Sequence, residues 1–536
     1  MEAAAVALAF CALTIAAIWP LLDPRVNVVP DSDDAYFSAW RLAWFAHQLP
    51  LDPRHLFDAN IFHPATATLA FSDAMVMVAA FGSPFIWLGV SPGLTHNLLL
   101  GAALVTSMWF AYLLVRDLTR SSAAAWLAAI IFGLAPYRLA HISHLELQWV
   151  MWMPLSLWLL HRFVEAPTWR RALAIGAAVA SQTLCSIYYG VFLSLYLAAA
   201  WLALFAIHAT TRRRLVLLTP LAIVPLLAVA LIYGPPYSRT RAEQGARAVP
   251  ELVEYSATPS DFLRVPPLNW LRGAPDSGPK PDERSLYPGL AAVLFAAAAF
   301  LPPVTRLAWV YLGLTALSVD AAMGMHGLLF PWLLEVMPLL SSLRSSARFG
   351  VFVLLSLSVL AGFGAANIFR ARPRYATAIG VMATLLCLLE YWSAPVSVRQ
   401  DQRRPPEAHQ WLSQQPPGTV IVELPLPKGN ALWLYETTYQ IRSTHHWLRL
   451  VNGYSGFAPK EYRQTLEELR AFPDATSIAR LRQLTVRFVL INRVYYSEDE
   501  FNGMLARIMA SPSFWPPRAF GPDEDQILIA ELKATD

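Results

Sequence analysis

The chain has 536 residues, 56% of them hydrophobic and only 15% charged, with 41 Lys and Arg against 37 Asp and Glu. A soluble domain carries about 25% charged residues, so the composition excludes an ordinary soluble globule. The net charge of +4 comes mostly from scattered Arg, and no basic stripe of the kind that binds nucleic acid is present.

In chain order, the first apolar run extends from Met1 to Leu22. It lacks Lys and Arg and carries Glu2, so it reads as a retained first helix and not as a cleaved leader. A bilayer core needs about 20 predominantly apolar residues per helix. By that ruler roughly eleven spans are expected, at 3–22, 94–115, 121–137, 146–161, 172–187, 190–208, 215–233, 287–303, 306–323, 347–369 and 375–395. The apolar stretch 75–90 reads as interfacial or re-entrant. Cys11, Cys185 and Cys387 all fall inside apolar runs, which argues against a disulfide framework or a metal cluster.

Cytoplasmic loops retain positive charge. With the N-terminus inside, Arg116 and Arg120, then Arg162, Arg170 and Arg171, then Arg212–Arg214, Arg306, and finally Arg370, Arg372 and Arg374 all fall on the same side. The outer side then receives 23–93, 136–145, 234–286, 324–346 and 396–536. The expected organisation is a membrane domain over 1–396, with outer loops 23–93 and 234–286, and a soluble extracytoplasmic α/β domain over 397–536. Strand-like runs at Thr419–Glu423 and Val486–Ile491, with an amphipathic helix near Pro459–Phe472, support the α/β assignment.

The first outer loop carries Asp31, Asp33 and Asp34, three carboxylates where a lipid-embedded chain meets water. Next, Tyr36, Phe37, Trp40, Ala43 and Trp44 recur with helical spacing, as on a helix lying along the interface. A carboxylate at that boundary suits a general base, while Ser32, Asp33 and Asp34 also suit a helix N-terminus. Asp73 is a further acid of this loop.

Residues Ala135–Glu146 form an outer turn bearing Arg138, His141, His144 and Glu146. They are read as a pocket wall, against the plainer reading of loop residues solvated beside headgroups. Arg344 and Arg348, one helical turn apart and on the outer side, suit a phosphate, with snorkelling to lipid phosphates as the alternative. Glu283 and Arg284 end the long outer loop and Pro288-Gly289 enters a helix. Val451–Phe457 is a Gly-bearing turn with aromatic edges, and turns of that kind are usually loops only. Nucleotide-binding, serine-hydrolase and zinc-protease signatures are missing from the sequence.

A first membrane helix, an acidic outer loop with an interfacial helix, many spans and an outer C-terminal domain: this arrangement resembles the GT-C superfamily of integral membrane glycosyltransferases. Protein O-mannosyltransferases, aminoarabinose transferases and oligosaccharyltransferase catalytic subunits belong to it. More narrowly, Phe132–Arg138, Trp152–Pro154, Glu283–Gly289 and Val451–Phe457 resemble stretches of uncharacterised bacterial GT-C-like membrane proteins. The resemblance implies an all-α polytopic membrane protein with a small α/β extracytoplasmic domain. It implies transfer, with inversion, of a sugar from a polyprenyl-phosphate donor to a glycan, lipid or protein acceptor. Asp34 best fits the base of such enzymes, with Asp33 and Asp31 as alternates. Arg344 and Arg348 would hold the donor phosphate; Arg138, His141, His144, Glu146, Glu283 and Asp73 would line the pocket. No cofactor is required by this reading, a divalent metal is left open, and membrane lipids are the other expected partners.

The rival readings are a transporter or flippase of lipid-linked glycans, and a non-catalytic cell-envelope assembly protein. Transporters place ionisable residues at mid-membrane depth, and nearly all the spans here lack them. Glu390 and Asp320 sit near outer ends. The expected location is the inner (plasma) membrane, with the N-terminus cytoplasmic.

Overall fold

The computed structural model describes residues 2–267, 269–270, 282–393, 396–401, 405–427 and 435–534. Part of the expected outer loop, 268 and 271–281, and the end of the last expected span, 394–395, lie outside the described residues. The chain divides into two compact units. One comprises Met1–Asp23, Asn97–Pro235 and Gly245–Ser397; the other comprises Pro24–His96, Pro236–Gln244 and Val398–Asp536.

The first unit is helical and is organised around Gly350–Ala371, whose residues are nearly all buried. A helix apolar on every side has no solvent face and belongs in the middle of a bundle. It packs against Ser122–Gly133, Leu290–Ala298 and Arg306–Met323. Close approach depends on small residues: a side chain at Gly364 would collide with the Phe295 carbonyl, and one at Gly362 would meet Val115.

Among the described residues six helices are long and apolar enough to cross a membrane: Pro92–Thr119, Ser122–Ala140, Ile187–Ile207, Ala209–Gln244, Arg306–His326 and Ser346–Ala371. Six such helices thus stand where eleven spans were expected. A helix does lie at each of the other five positions, but each is short. Glu2–Ile18, Trp152–Glu165, Trp169–Cys185 and Ala376–Tyr391 have 14 to 17 residues. Leu290–Ala298 has nine, bounded by Gly289 at φ 97° and, a few residues on, by Pro302 and Pro303.

The two carboxylates near span ends are helix caps. Glu390 accepts from the backbone N–H groups of Leu290 and Ala291 at 2.7 and 3.1 Å. Asp320 accepts from those of Leu328 and Leu329 at 2.7 and 2.8 Å.

The second unit is α/β. Its five-stranded sheet runs Arg449–Leu450, Val420–Leu424, Val486–Asn492, Ile527–Glu531, Arg518–Phe520. The first three strands are parallel; Ile527–Glu531 runs antiparallel to its neighbour Val486–Asn492, and Arg518–Phe520 antiparallel to Ile527–Glu531. Val420–Leu424 is buried along its whole length, as a central parallel strand covered on both faces must be. Val28–Val29 pairs with Arg399–Gln400, tying the segment after the first helix into this unit.

The helix expected at 33–49 is Asp34–Leu51, but it is not an interfacial stripe. Every residue from Ala35 to Ala46 is buried, Ser38 and Arg41 included. The reason is that Val76–Trp87 packs on one flank and Glu436–Ser443 on another. Within it, Arg41 donates to the Asp73 carbonyl at 2.6 Å and to Ser38 Oγ at 3.0 Å.

Candidate active site

In the first unit, Glu283 is the hub. It follows the long loop and is held in place because its neighbour Arg284 is locked to Asp261 at 2.7 Å and to the Glu254 carbonyl at 3.2 Å. Arg284 is thereby structural. Glu283 Oε1 lies 3.2 Å from Arg348 Nη2 and 3.6 Å from Arg344 Nη2. Arg344 and Arg348 do not share a helical face as expected. Arg344 precedes the 3-10 turn Ser346–Phe349, which contains Arg348, and the shared carboxylate is what gathers them.

Two tyrosines that the sequence reading passed over complete the cluster. The Arg348 guanidinium lies over the Tyr188 ring at 4.8 Å, and that of Arg344 over the Tyr255 ring at 4.4 Å. The Tyr188 hydroxyl oxygen accepts from the Arg344 backbone N–H at 2.7 Å. Tyr188 lies in an apolar run and Tyr255 in a polar loop, so neither carried a local signal.

Burial pushes the Glu283 carboxyl up, but Arg348, His141 and Arg344 together outweigh it and hold it at about 2. Two guanidinium groups share this one carboxylate, which leaves one net positive charge on the trio. Arg348 is buried with Glu283, whereas the Arg344 side chain is 32% exposed. Arg344 is therefore the group a ligand anion reaches at least desolvation cost.

His141 belongs to the same neighbourhood. Its Nδ1 is 2.7 Å from the Tyr137 carbonyl, and its ring centroid is 5.8 Å from that of His144. Burial, then His144, depress it to about 4, so it is neutral at pH 7. Glu146 is buried. Arg138 is buried as well, but it ties its turn together: it donates to the Gln148 carbonyl at 2.9 Å, while Gln148 donates back to the carbonyls of Arg138 and His141.

In the second unit the three acids have separate jobs. Asp31 Oδ1 accepts from the backbone N–H groups of Asp33 and Ala35, at 2.9 and 3.0 Å, and so caps the helix that begins at Asp34. Asp33 is exposed, yet its carboxyl is raised by partial loss of water and by the charges of Asp31 and Asp34. Asp34 Oδ1 accepts a 2.9 Å hydrogen bond from the Tyr454 hydroxyl. Tyr454 lies in the Val451–Phe457 turn, the stretch that read as a plain loop. Asp73 belongs to this same unit.

A groove of about 850 Å3 in the second unit is walled by His47, Trp87, Pro92, His445 and Trp447, and none of the expected site residues lines it. Among the described residues no group of three or more His, Cys, Asp or Glu is placed to hold a metal ion.

A family model described as Domain of unknown function (DUF6311) matches residues 3–391. No curated protein matches the chain by sequence. Among solved structures, the arabinofuranosyltransferase AftD from Mycobacteria is similar with a TM-score of 0.64 and 14% identity, over 100% of this chain and 40% of that one. The oligosaccharyltransferase AglB from Archaeoglobus fulgidus, in complex with an inhibitory peptide and a dolichol-phosphate, is similar with a TM-score of 0.52 and 13% identity, over 98% and 74%. This chain thus spans 40% of the length of the mycobacterial protein. Both neighbours are GT-C superfamily members, and the fold is the one they share.

Proposed function

This chain belongs to the DUF6311 family, and we propose that it is a GT-C type glycosyltransferase that moves a sugar from a polyprenyl-phosphate donor to an acceptor hydroxyl. The observation that carries the proposal is the Glu283–Arg344–Arg348 cluster, an excess of guanidinium charge held in a buried, aromatic-lined setting. Arg forks match phosphate oxygens, and partial desolvation strengthens the match. The fold neighbours add support: the archaeal one holds a dolichol-phosphate.

The proposed step is a displacement at the sugar's anomeric carbon. The acceptor oxygen forms the new bond to that carbon, and the carbon–oxygen bond to phosphate breaks with its electron pair going to the phosphate. The acceptor's proton passes to the Asp34 carboxylate, and the anomeric configuration inverts. Arg344 and Arg348 stabilise the charge growing on the departing phosphate. A phosphate leaving group needs no second carboxylic acid, in contrast to a glycosidase. His141, neutral at pH 7, His144 and Glu146 line the donor side. On the positive-inside argument, the N-terminus is cytoplasmic and the C-terminal domain extracytoplasmic, in the plasma membrane.

Binding of a short-chain polyprenyl phosphate to the purified protein tests the anion site. Saturable binding that is lost in Arg344→Glu is expected. Equal binding by the wild type and this variant removes the proposal's main support.

A further inference from the structure

Taking the reading of Asp34 as base for granted, we infer that Glu436 is a positioning residue for it, acting through the Asn452-Gly453-Tyr454 turn. Glu436 is fully buried at the start of the helix Glu436–Ser443. Its Oε1 accepts from the Tyr462 hydroxyl at 2.6 Å and from Asn452 Nδ2 at 3.2 Å, and its Oε2 from the Gly453 backbone N–H at 2.7 Å. One turn further along the same helix, Gln440 Nε2 donates to the Tyr454 carbonyl at 3.0 Å. The turn is thus gripped at three successive residues by one helix.

The other side of the turn is fixed as well. Asn452 exchanges hydrogen bonds with the backbone of Glu423 in the central strand, at 2.7 and 2.9 Å. Gly453 lies so close to the Phe62 ring that a Cβ would sit 2.8 Å from it, which keeps this position bare of a side chain. From this frame Tyr454 reaches out, its ring edge-on to Phe37 at 5.1 Å and its hydroxyl donating to Asp34.

The same helix also holds the backbone on which Asp34 sits, since Thr437 Oγ1 donates to the Ser32 carbonyl at 2.6 Å. Asp34 is therefore set from two directions by one element: its main chain through Thr437, its carboxylate through Glu436, the turn and Tyr454. A carboxylate rotates freely about its side-chain bond unless a directional donor restrains it, and a base works only when its oxygen faces the proton it removes. Glu436 supplies that restraint without touching substrate.

The test uses the full chain in lipid nanodiscs and a panel of short-chain polyprenyl-phosphoryl pentoses and hexoses, reading release of polyprenyl phosphate. Expected is a roughly tenfold fall in kcat for Tyr454→Phe and for Glu436→Ala, the size of one lost hydrogen bond to a charged group, with KM for the donor unchanged. Glu436→Gln, which keeps one of the two acceptor oxygens and turns the other into a donor, restores only part of the rate. Hydrogen exchange, read independently of turnover, is expected to rise in Glu436→Ala both at 451–457 and at 34–40. Tyr454→Phe at the wild-type kcat beside an inactive Asp34→Asn overturns the positioning role and leaves the base intact. A wild-type rate in Asp34→Asn itself removes the base, and the inference with it. Faster exchange confined to 451–457 also overturns the inference.

Discussion

The carboxylate of Glu283 lies 3.2 Å from the guanidinium of Arg348, with both side chains buried. Removing one partner of such a pair strands the other in a low-dielectric setting, at a cost of about 3–5 kcal/mol. Glu283→Ala should therefore unfold at markedly lower denaturant or temperature, whereas Glu283→Leu combined with Arg348→Met should recover much of the loss. A single variant as stable as the wild type would show that the pair is not buried.

Acid should find the same pair. The Glu283 carboxyl falls from 4.5 to about 2 in the fold, so its contribution is fully present above pH 4.5 and is lost as pH falls toward 2. His141 acts over a neighbouring window. Its drop from 6.5 to about 4 means the unfolded chain takes up a proton first, and stability falls from pH 6.5 downward. A thermal-melt series across pH 7 to 4 should show a slope that flattens in His141→Asn; an identical slope in that variant would contradict the assignment.

Glu436 has the opposite sign. Burial raises its carboxyl from 4.5 to about 8, so its contribution is complete below pH 4.5 and is lost as pH rises through 8. Glu436→Gln should lack this fall, so its stability relative to the wild type should rise from pH 5 to pH 9. The measurement is melting temperature against pH, and parallel curves for the two proteins would refute it.

Asp31 and Asp34 should separate cleanly. Asp31 caps the helix at Asp34 through two backbone N–H groups, so Asp31→Ala should cost about 1 kcal/mol of stability while sugar transfer persists. Asp34→Asn should do the reverse, keeping stability and losing transfer. If Asp31→Ala were the silent, stable and inactive variant, the base would have to be reassigned.

How much of this was legible in the sequence depended on how local each feature is. The strands at Val420–Leu424 and Val486–Asn492 and the helix Lys460–Glu468 announced themselves by periodicity. The acidic stretch and the Arg pair stood out by being charged beside apolar runs. Burial of the whole Ala35–Ala46 surface did not show, because the covering helix Glu436–Ser443 lies some 400 residues away in sequence. The same distance hid the pairing of Val28–Val29 with Arg399–Gln400 and the Tyr454–Asp34 hydrogen bond. Eleven apolar runs in the sequence meet six helices of spanning length, because 14- to 17-residue apolar helices and longer ones look alike to a hydropathy window.

The most direct test reconstitutes the wild type and Asp34→Asn in liposomes carrying a labelled polyprenyl-phosphoryl sugar panel and follows free polyprenyl phosphate together with labelled acceptor. Formation of both products by the wild type, lost in Asp34→Asn while polyprenyl-phosphate binding persists, is the expected result. Equal product formation by the two proteins, or movement of the labelled lipid between leaflets without any sugar transfer, would contradict a glycosyltransferase with Asp34 as its base.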